Sequence, residues 1–164
     1  MNVLERTDSG LYCRAADAWI DPSRPVARAL ITHAHADHAR PGCGEYWAVD
    51  VSEGVLRQRL GSDINLHSVP YRKEFWLNQA CVSFHSAGHV LGSAQIRLMV
   101  DDQVWVVTGD YKRCPDPSCE PFEVVPCDVL ITEATFGLPI YAWEPGAAVA
   151  EQIRDWWHGD RERP

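Results

Sequence analysis

Polar and apolar residues alternate along the chain in short runs typical of β-strands, and only two stretches have helical spacing. Residues 93–99 alternate with a period of two, Asp101 and Asp102 supply turn residues, and residues 104–108 are rich in valine. This order predicts a β-hairpin that delivers Gly109-Asp110 at its far end. Residues 128–132 form a shorter apolar run, which predicts a buried strand that ends at Glu133.

The first helical stretch follows a polar turn. Asp50 and Glu53 have the spacing of a capping box, and Gly61 is placed to end a helix over residues 54–60. The residues through which we expect this helix to pack are Val55, Leu56 and Leu60.

The second helical stretch covers residues 147–157, and Gly159 is a natural stop for it. Its apolar residues at helical spacing are Val149, Ile153, Trp156 and Trp157. The two tryptophans could stack on nucleobases, but an aromatic helix face is more typical of a protein core. We therefore expect this face to be buried.

Composition limits the class of protein. The chain has 164 residues, of which 46% are hydrophobic and 23% charged, so its length suits one folded domain and leaves no room for a second full one. The formal net charge of -8 argues against a protein coated in basic surface for gripping nucleic acid. Bound divalent cations would reverse the sign of the charge locally, so a nucleic-acid substrate stays open.

The compartment follows from what the sequence lacks. No apolar run approaches the roughly 18 residues that a membrane span needs, and the polar start lacks the basic and apolar segments of a signal peptide. We expect a cytoplasmic protein with no membrane contact, in which the six cysteines are reduced thiols.

The densest chemical signal lies between Thr32 and His38, directly after an apolar run at 26–31. Three histidines and one aspartate occupy this segment: His33, His35, Asp37 and His38. As cations the rings would repel one another, and as buried neutral rings each would need its own hydrogen-bond partner. The spacing lets residues 33 and 35 point to one side while 37 and 38 face a second position, which suits two metal ions.

Two further candidate ligands stand in glycine-containing loops that follow or join predicted strands: His89 in Ser86-Ala-Gly-His and Asp110 in Thr108-Gly-Asp. Imidazole and carboxylate ligands without thiolate favour zinc and also tolerate manganese or iron. Two such ions can activate a hydroxide as nucleophile and polarise an ester or a phosphodiester. The expected reaction is therefore hydrolysis.

Other metal-ligating residue types stay outside the expected site. His85 lies four residues before His89, but residues 82–84 favour a strand, which separates the two rings. Cys114, Cys119 and Cys127 flank a proline-rich loop without Cys-x-x-Cys spacing or a fourth ligand, so we do not expect a structural zinc or a disulfide there.

Together these motifs resemble a known family. Thr32-His-Ala-His-Ala-Asp-His38, Ala87-Gly-His-Val-Leu-Gly-Ser93 and Thr108-Gly-Asp-Tyr-Lys112 resemble successive motifs of the metallo-β-lactamase superfamily. Ile131-Thr-Glu-Ala-Thr-Phe-Gly137 is similar to the acidic motif that opens the insert of its β-CASP nuclease group. Within that group, nearly the whole chain is most similar to bacterial ligase-associated DNA exonucleases.

The resemblance implies an α/β (α+β) fold of the αββα sandwich type, with the site at one edge and residues 1–164 as its amino-terminal portion. It implies two divalent ions, with zinc as first choice and manganese as the alternative. The first would be held by His33, His35 and His89, the second by Asp37 and His38, with Asp110 as the bridge. Glu133 would orient a ligand histidine, and Asp37 would take part in proton transfer; with Asp110 these are the expected catalytic carboxylates.

The function implied is that of a metal-dependent DNA exonuclease in repair, working with a DNA ligase and a helicase, with RNA as a less favoured substrate. One alternative is a small-molecule metallohydrolase such as a lactonase or thiolesterase. The other is a truncated, inactive domain, because family members continue into a β-CASP insert and a final part with further histidines. His158 is the one histidine after Glu133, and its setting does not match those later motifs.

Overall fold

The computed structural model describes residues 2–159, and its amino-terminal half pairs short apolar runs into a six-stranded mixed sheet. The strands, in sheet order, are β1 Leu4–Thr7, β2 Gly10–Cys13, β3 Ala18–Ile20, β4 Arg28–Leu30, β5 Glu45–Val49 and β6 Leu66–Val69. β1, β2 and β3 pair antiparallel, and β3 to β6 run parallel to one another.

A second mixed sheet follows. Its strands are β7 Phe75–Leu77, β8 Ala80–Ser86, β9 Ala94–Val100, β10 Gln103–Val107 and β11 Val129–Ile131. β7 to β10 pair antiparallel in chain order, and β11 lies parallel to β10. Asp101 and Asp102, with φ of 47° and 63°, form the two-residue connection of the predicted hairpin, which is confirmed.

The helix predicted after Asp50 is present as α1 Glu53–Leu60, and Gly61 ends it with φ of 116°. The capping box is wrong, because a 3₁₀ turn occupies Asp50–Ser52 ahead of the helix. The Asp50 carboxylate accepts from the N–H of Val51 instead of from the helix interior. Leu56 is fully buried, but Val55 is exposed, so that part of the predicted packing is also wrong.

Three layers enclose two cores. The larger core lies between the sheets and contains Leu30 and Val49 from the first and Phe84, Ile96 and Leu98 from the second. The smaller core lies on the other face of the first sheet, where Leu56 of α1 meets Ala29, Ile31, Tyr46 and Ala48. The mixed α/β class is thus confirmed, while the complete αββα sandwich stays a prediction.

The strand predicted to be buried over residues 128–132 is an edge strand. Among residues 2–159, β11 pairs on one side only, and the side chain of Leu130 is exposed. The prediction of burial was wrong because a short apolar run is common to buried and edge strands.

The chain divides into two compact units after Glu133. The second unit contains α2 Gly146–Gly159, close to the predicted helix. Phe136 stacks edge-on against Tyr141 and Trp143. The apolar face of α2 is exposed, with Trp157 at 72%, so the predicted burial is wrong.

Candidate metal centre

Strand direction brings the candidate residues to one edge of the sandwich. β3 and β4 are parallel, as are β10 and β11, and β8 runs with β10 because both are antiparallel to β9. Segments carrying Asp21, Thr32 to His38, His89, Asp110 and Glu133 follow the carboxyl ends of these five strands. The N–H of Ala94 donates to the carbonyl of Thr32 over 2.7 Å, which ties the two sheets together at this edge.

Four side chains form what we call the first group: His33, His35, His89 and Asp110. Each offers one ligand atom, and the four atoms lie within 4.8 Å of one another. The Nε2 of His33 is 2.9 Å from the Nδ1 of His35. The same Nε2 and that of His89 each lie 3.7 Å from Oδ2 of Asp110. Three imidazoles and a carboxylate therefore converge on one point.

The second group consists of Asp37 and His38, beside the other oxygen of Asp110. The Nε2 of His38 is 3.4 Å from Oδ1 of Asp110 and 3.6 Å from Oδ2 of Asp37. Asp110 thus presents one carboxylate oxygen to each group. This arrangement is compatible with a bridging carboxylate, and the bridge itself stays a prediction.

Asp21 is a site residue that the sequence analysis missed. Its Oδ2 lies 2.8 Å from Nδ1 of His38, and its Oδ1 accepts from the backbone N–H of Thr32 over 2.8 Å. Fixing Nδ1 directs the Nε2 of His38 toward Asp37 and Asp110. A signal was present, because Asp21 follows the end of a short apolar strand, as Asp110 and Glu133 follow theirs.

The electrostatics of the two groups differ. Burial lowers the pKa of His33 to about 3, helped by the neighbouring rings of His38 and His35. Burial also acts on His38, but the hydrogen bond and charge of Asp21 outweigh it and leave the pKa of His38 raised. The pKa of Asp37 is lowered, first by a hydrogen bond from its own backbone N–H and then by the nearby histidines. Asp37 is therefore an anion at neutral pH.

His89 projects from a tight turn after β8. Ser93 Oγ accepts from the N–H groups of His89 and Val90, and Gly88 has φ of 68°. Burial lowers the pKa of His89, against the opposing charge of Asp110. Its Nε2 is buried and makes no hydrogen bond among residues 2–159. A buried ring nitrogen without a hydrogen bond has a lone pair or a proton that lacks a partner.

Gly109 and Glu133 support the loop that carries Asp110. Gly109 has φ of 56°, and a Cβ there would lie 2.6 Å from the Cβ of Thr32, so only glycine lets the two loops approach this closely. Oε1 of Glu133 accepts from the N–H of Tyr111 over 3.2 Å. The carboxylate of Glu133 thus contacts the residue that follows Asp110. Its expected contact with a ligand histidine stays a prediction.

The residues present fit a divalent cation. The donor set is imidazole and carboxylate, which suits zinc or manganese. His33 and His89, with their lowered pKa values, are neutral at physiological pH, as metal-bound histidines must be. The buried Nε2 of His89, unbonded within the described chain, faces this donor set and would be matched by an ion.

The residues that we placed outside the site lie elsewhere. Nδ1 of His85 is 2.9 Å from Oε1 of Glu123, and its Nε2 is 3.0 Å from the Ser83 hydroxyl. All six cysteines are free thiols. Among residues 2–159, three or more ligand atoms of histidines, cysteines or carboxylates come within 4.8 Å of one another only in the first group, which contains no cysteine. Within the same residues, no helix has the length and apolar character needed to cross a bilayer.

Comparison with known proteins adds a family context. The chain is 32% identical over 151 residues to a probable DNA ligase of Opitutus terrae, covering 91% of this chain and 15% of that protein. It is 34% identical over 76 residues to the endoribonuclease ysh1 of Aspergillus fumigatus, covering 44% and 9%. It is 41% identical over 59 residues to an RNase J-like protein of Methanocaldococcus jannaschii, covering 35% and 14%.

The chain therefore spans at most 15% of the length of these three relatives. No protein-family model matches it.

Proposed function

We propose, from its relation to the β-CASP group of the metallo-β-lactamase superfamily, that this chain is the metal-binding part of a nuclease. The observation that carries the proposal is the convergence of His33, His35, His89 and Asp110, with the second oxygen of Asp110 facing His38. The relatives named as an endoribonuclease and an RNase support a metal-dependent nucleic-acid hydrolase.

We assign these side chains to two metal positions. The first group holds one divalent ion, Asp37 and His38 hold a second, and Asp110 bridges them. Zinc is the proposed metal, with manganese as the alternative. When bound, two such ions would polarise a phosphodiester and lower the pKa of a water molecule.

The other carboxylates act around this centre. Asp21 keeps Nε2 of His38 directed at the second position, because it holds the other ring nitrogen. Asp37 is anionic and 75% exposed, so it can accept a proton from the attacking water. Glu133 holds the backbone that follows Asp110.

The substrate is proposed to be DNA, attacked from an end, in cooperation with a DNA ligase. Support comes from coverage: the probable DNA ligase matches 91% of this chain, whereas the two relatives named for RNA match 44% and 35%. The helicase partner, the cytoplasmic location and the role in repair stay predictions.

The test loads the purified chain with zinc or manganese, measures bound metal by elemental analysis, and follows end-labelled single-stranded DNA, RNA and a lactone. Two ions per chain and shortening of the labelled DNA are expected. Asp110→Ala should remove most of the bound metal and abolish shortening of the DNA. Asp63→Ala, which changes an exposed aspartate after α1, should alter neither.

Each other result overturns a defined part of the proposal. A chain that opens the lactone but leaves DNA intact is a small-molecule hydrolase. Cleavage of RNA alone corrects the substrate. A chain that binds metal and hydrolyses none of the three is an inactive domain, and one that binds no metal refutes the centre itself.

A further inference from the structure

Residues 108–128, all described, connect β10 to β11 without a helix or strand. Within this connection, Lys112 and Glu123 lie against the end of β8. Glu123 is the main attachment. Its N–H donates to the carbonyl of Ser86 over 3.0 Å, and its own carbonyl accepts from Nε2 of Gln95 over 2.6 Å. The Nε2 of Gln95 also donates to the carbonyl of Ser86 over 2.9 Å. Gln95 is 2% exposed and Glu123 is half-buried, so the Gln95 side of this junction is buried.

The carboxylate of Glu123 is held from two sides. Oε2 accepts from Nε of Arg72 over 2.9 Å, and Oε1 lies 2.9 Å from Nδ1 of His85. The other nitrogen of His85 meets the hydroxyl of Ser83 at 3.0 Å. Arg72 has φ of 66°, unusual for arginine, while its N–H donates to the carbonyl of Phe84. Both oxygens of Glu123 are therefore committed.

This attachment continues into the turn that carries His89. The hydroxyl of Ser86 donates to the carbonyl of Glu120 over 2.8 Å, and the N–H of Lys112 donates to Ala87 over 3.0 Å. A Cβ on Gly88 would lie 2.4 Å from the Lys112 carbonyl oxygen and 2.8 Å from the Phe122 nitrogen. The connection thus packs against the residue immediately before His89, and the residue next to Glu123 is part of that wall.

We propose that Glu123 is a positioning residue for His89, which it affects through the end of β8 and the wall around Gly88. This inference rests on the proposed function, because the proposed function is what makes His89 a metal ligand. Removing a group that hydrogen-bonds directly to a metal ligand typically lowers metal affinity by about 10–100-fold. Because Glu123 acts on His89 only through the backbone, we expect its substitution to lower metal affinity by about tenfold, the lower end of that range.

The informative variant is Glu123→Gln. The amide keeps one acceptor oxygen and replaces the other with an NH₂ group, so only one of the two positions that face Arg72 and His85 keeps an acceptor. Glu74→Gln is the matched control, because Glu74 pairs with Arg97 over 3.3 Å on the same sheet without contacting the His89 turn. Arg72→Asn is a second variant that removes one partner while retaining a residue that tolerates positive φ.

Two readouts decide the proposal. Cobalt titration followed by visible absorption should show affinity for the first ion about tenfold lower in Glu123→Gln, with a smaller loss in Arg72→Asn and none in Glu74→Gln. In the metal-free protein, the ring ¹H–¹⁵N resonances of His89 should move in Glu123→Gln but not in Glu74→Gln. A lower melting temperature with unchanged cobalt affinity and unchanged His89 resonances would show that Glu123 only stabilises the fold.

Failure of the two proposals can be told apart. If the unaltered chain binds no cobalt, the proposed function fails, yet the His89 resonances of the metal-free variants still test positioning. If the unaltered chain binds cobalt and Glu123→Gln binds it equally well, with the same ring resonances, positioning by Glu123 is refuted and the metal centre stands.

Discussion

The two groups of the centre share Asp110 but differ in their surroundings. The side chain of His33 in the first group is completely buried, whereas that of Asp37 in the second is 75% exposed. His33 is surrounded by other imidazole rings, and burial lowers its pKa to about 3. His38 is hydrogen-bonded to Asp21, and its pKa is raised. Two histidines in one short loop thus acquire opposite protonation preferences from their neighbours.

This difference has a chemical consequence. A histidine must be deprotonated at the nitrogen that binds a metal. In the first group, burial lowers the pKa of His33 and of His89, so both rings are neutral before any ion arrives. His38, in contrast, must release a proton against the pull of Asp21. We therefore expect the first position to fill at lower metal concentration and to resist acid better.

The largest expected effect removes the shared residue. Asp110→Ala should eliminate most bound metal at both positions, because each group loses one oxygen and the two groups lose their bridge. Elemental analysis after dialysis measures this, with Asp63→Ala as control. Retention of one ion would show that Asp110 belongs to one group only.

Acidification should separate the two histidines in the metal-free protein. The folded pKa of His33 lies below its usual 6.5, so the unfolded chain binds more protons and His33 costs stability as pH falls from 6.5 toward 3. His38 acts in the opposite sense: its contribution is full below 6.5 and is lost as pH rises through its raised pKa.

Ring-proton NMR across pH, together with urea unfolding at each pH, measures both effects. His33→Asn should flatten the acid limb of the stability curve. Titration of both rings near 6.5 would contradict the comparison.

A backbone change should disturb both groups moderately. Gly109→Ala places a Cβ against Thr32 at φ of 56°, and we expect a loss of about 1–3 kcal/mol in unfolding free energy. Metal affinity should fall as Asp110 moves. Gly54→Ala is the control, because nothing lies within 4 Å of its added Cβ and alanine at this position in the first turn of α1 should add about 0.4–1 kcal/mol of stability. Chemical denaturation distinguishes the two, and equal stabilities would argue against the close approach.

The smallest expected effect falls mainly on the second group. Asp21→Asn should weaken the second ion by about 10–100-fold and the first ion less, since Asp21 contacts His38 directly and reaches His33 only through the Thr32 hydroxyl. Asp17→Asn is the matched control. Like Asp21, Asp17 has a positive φ and accepts a hydrogen bond, but its donor is the hydroxyl of Tyr12. Calorimetric titration with zinc resolves the two events. Equal weakening of both ions would show that the groups are not separate.

The local sequence pattern predicted an element correctly where all the residues that define the element lie close together in the chain. The hairpin over β9 and β10 and helix α1 follow from residues within a few positions of each other. The same rules misjudged β11 and the apolar face of α2, because burial depends on what covers a face and periodicity does not report it. Asp21 was missed for a related reason: nothing near it in the sequence is metal-ligating, and its partner His38 is 17 residues away.

The sequence alone determined the chemical types of the centre: three closely spaced histidines with Asp37, then His89 and Asp110 in loops between strands, because a dense set of ligand residues is improbable as ordinary surface. Tertiary structure decided how they divide. Parallel strands bring five loops to one edge, Asp110 turns one oxygen to each group, and burial and Asp21 set opposite pKa shifts on His33 and His38. Those outcomes depend on distances between residues far apart in the chain, and electrostatic effects follow distance in space rather than separation in sequence.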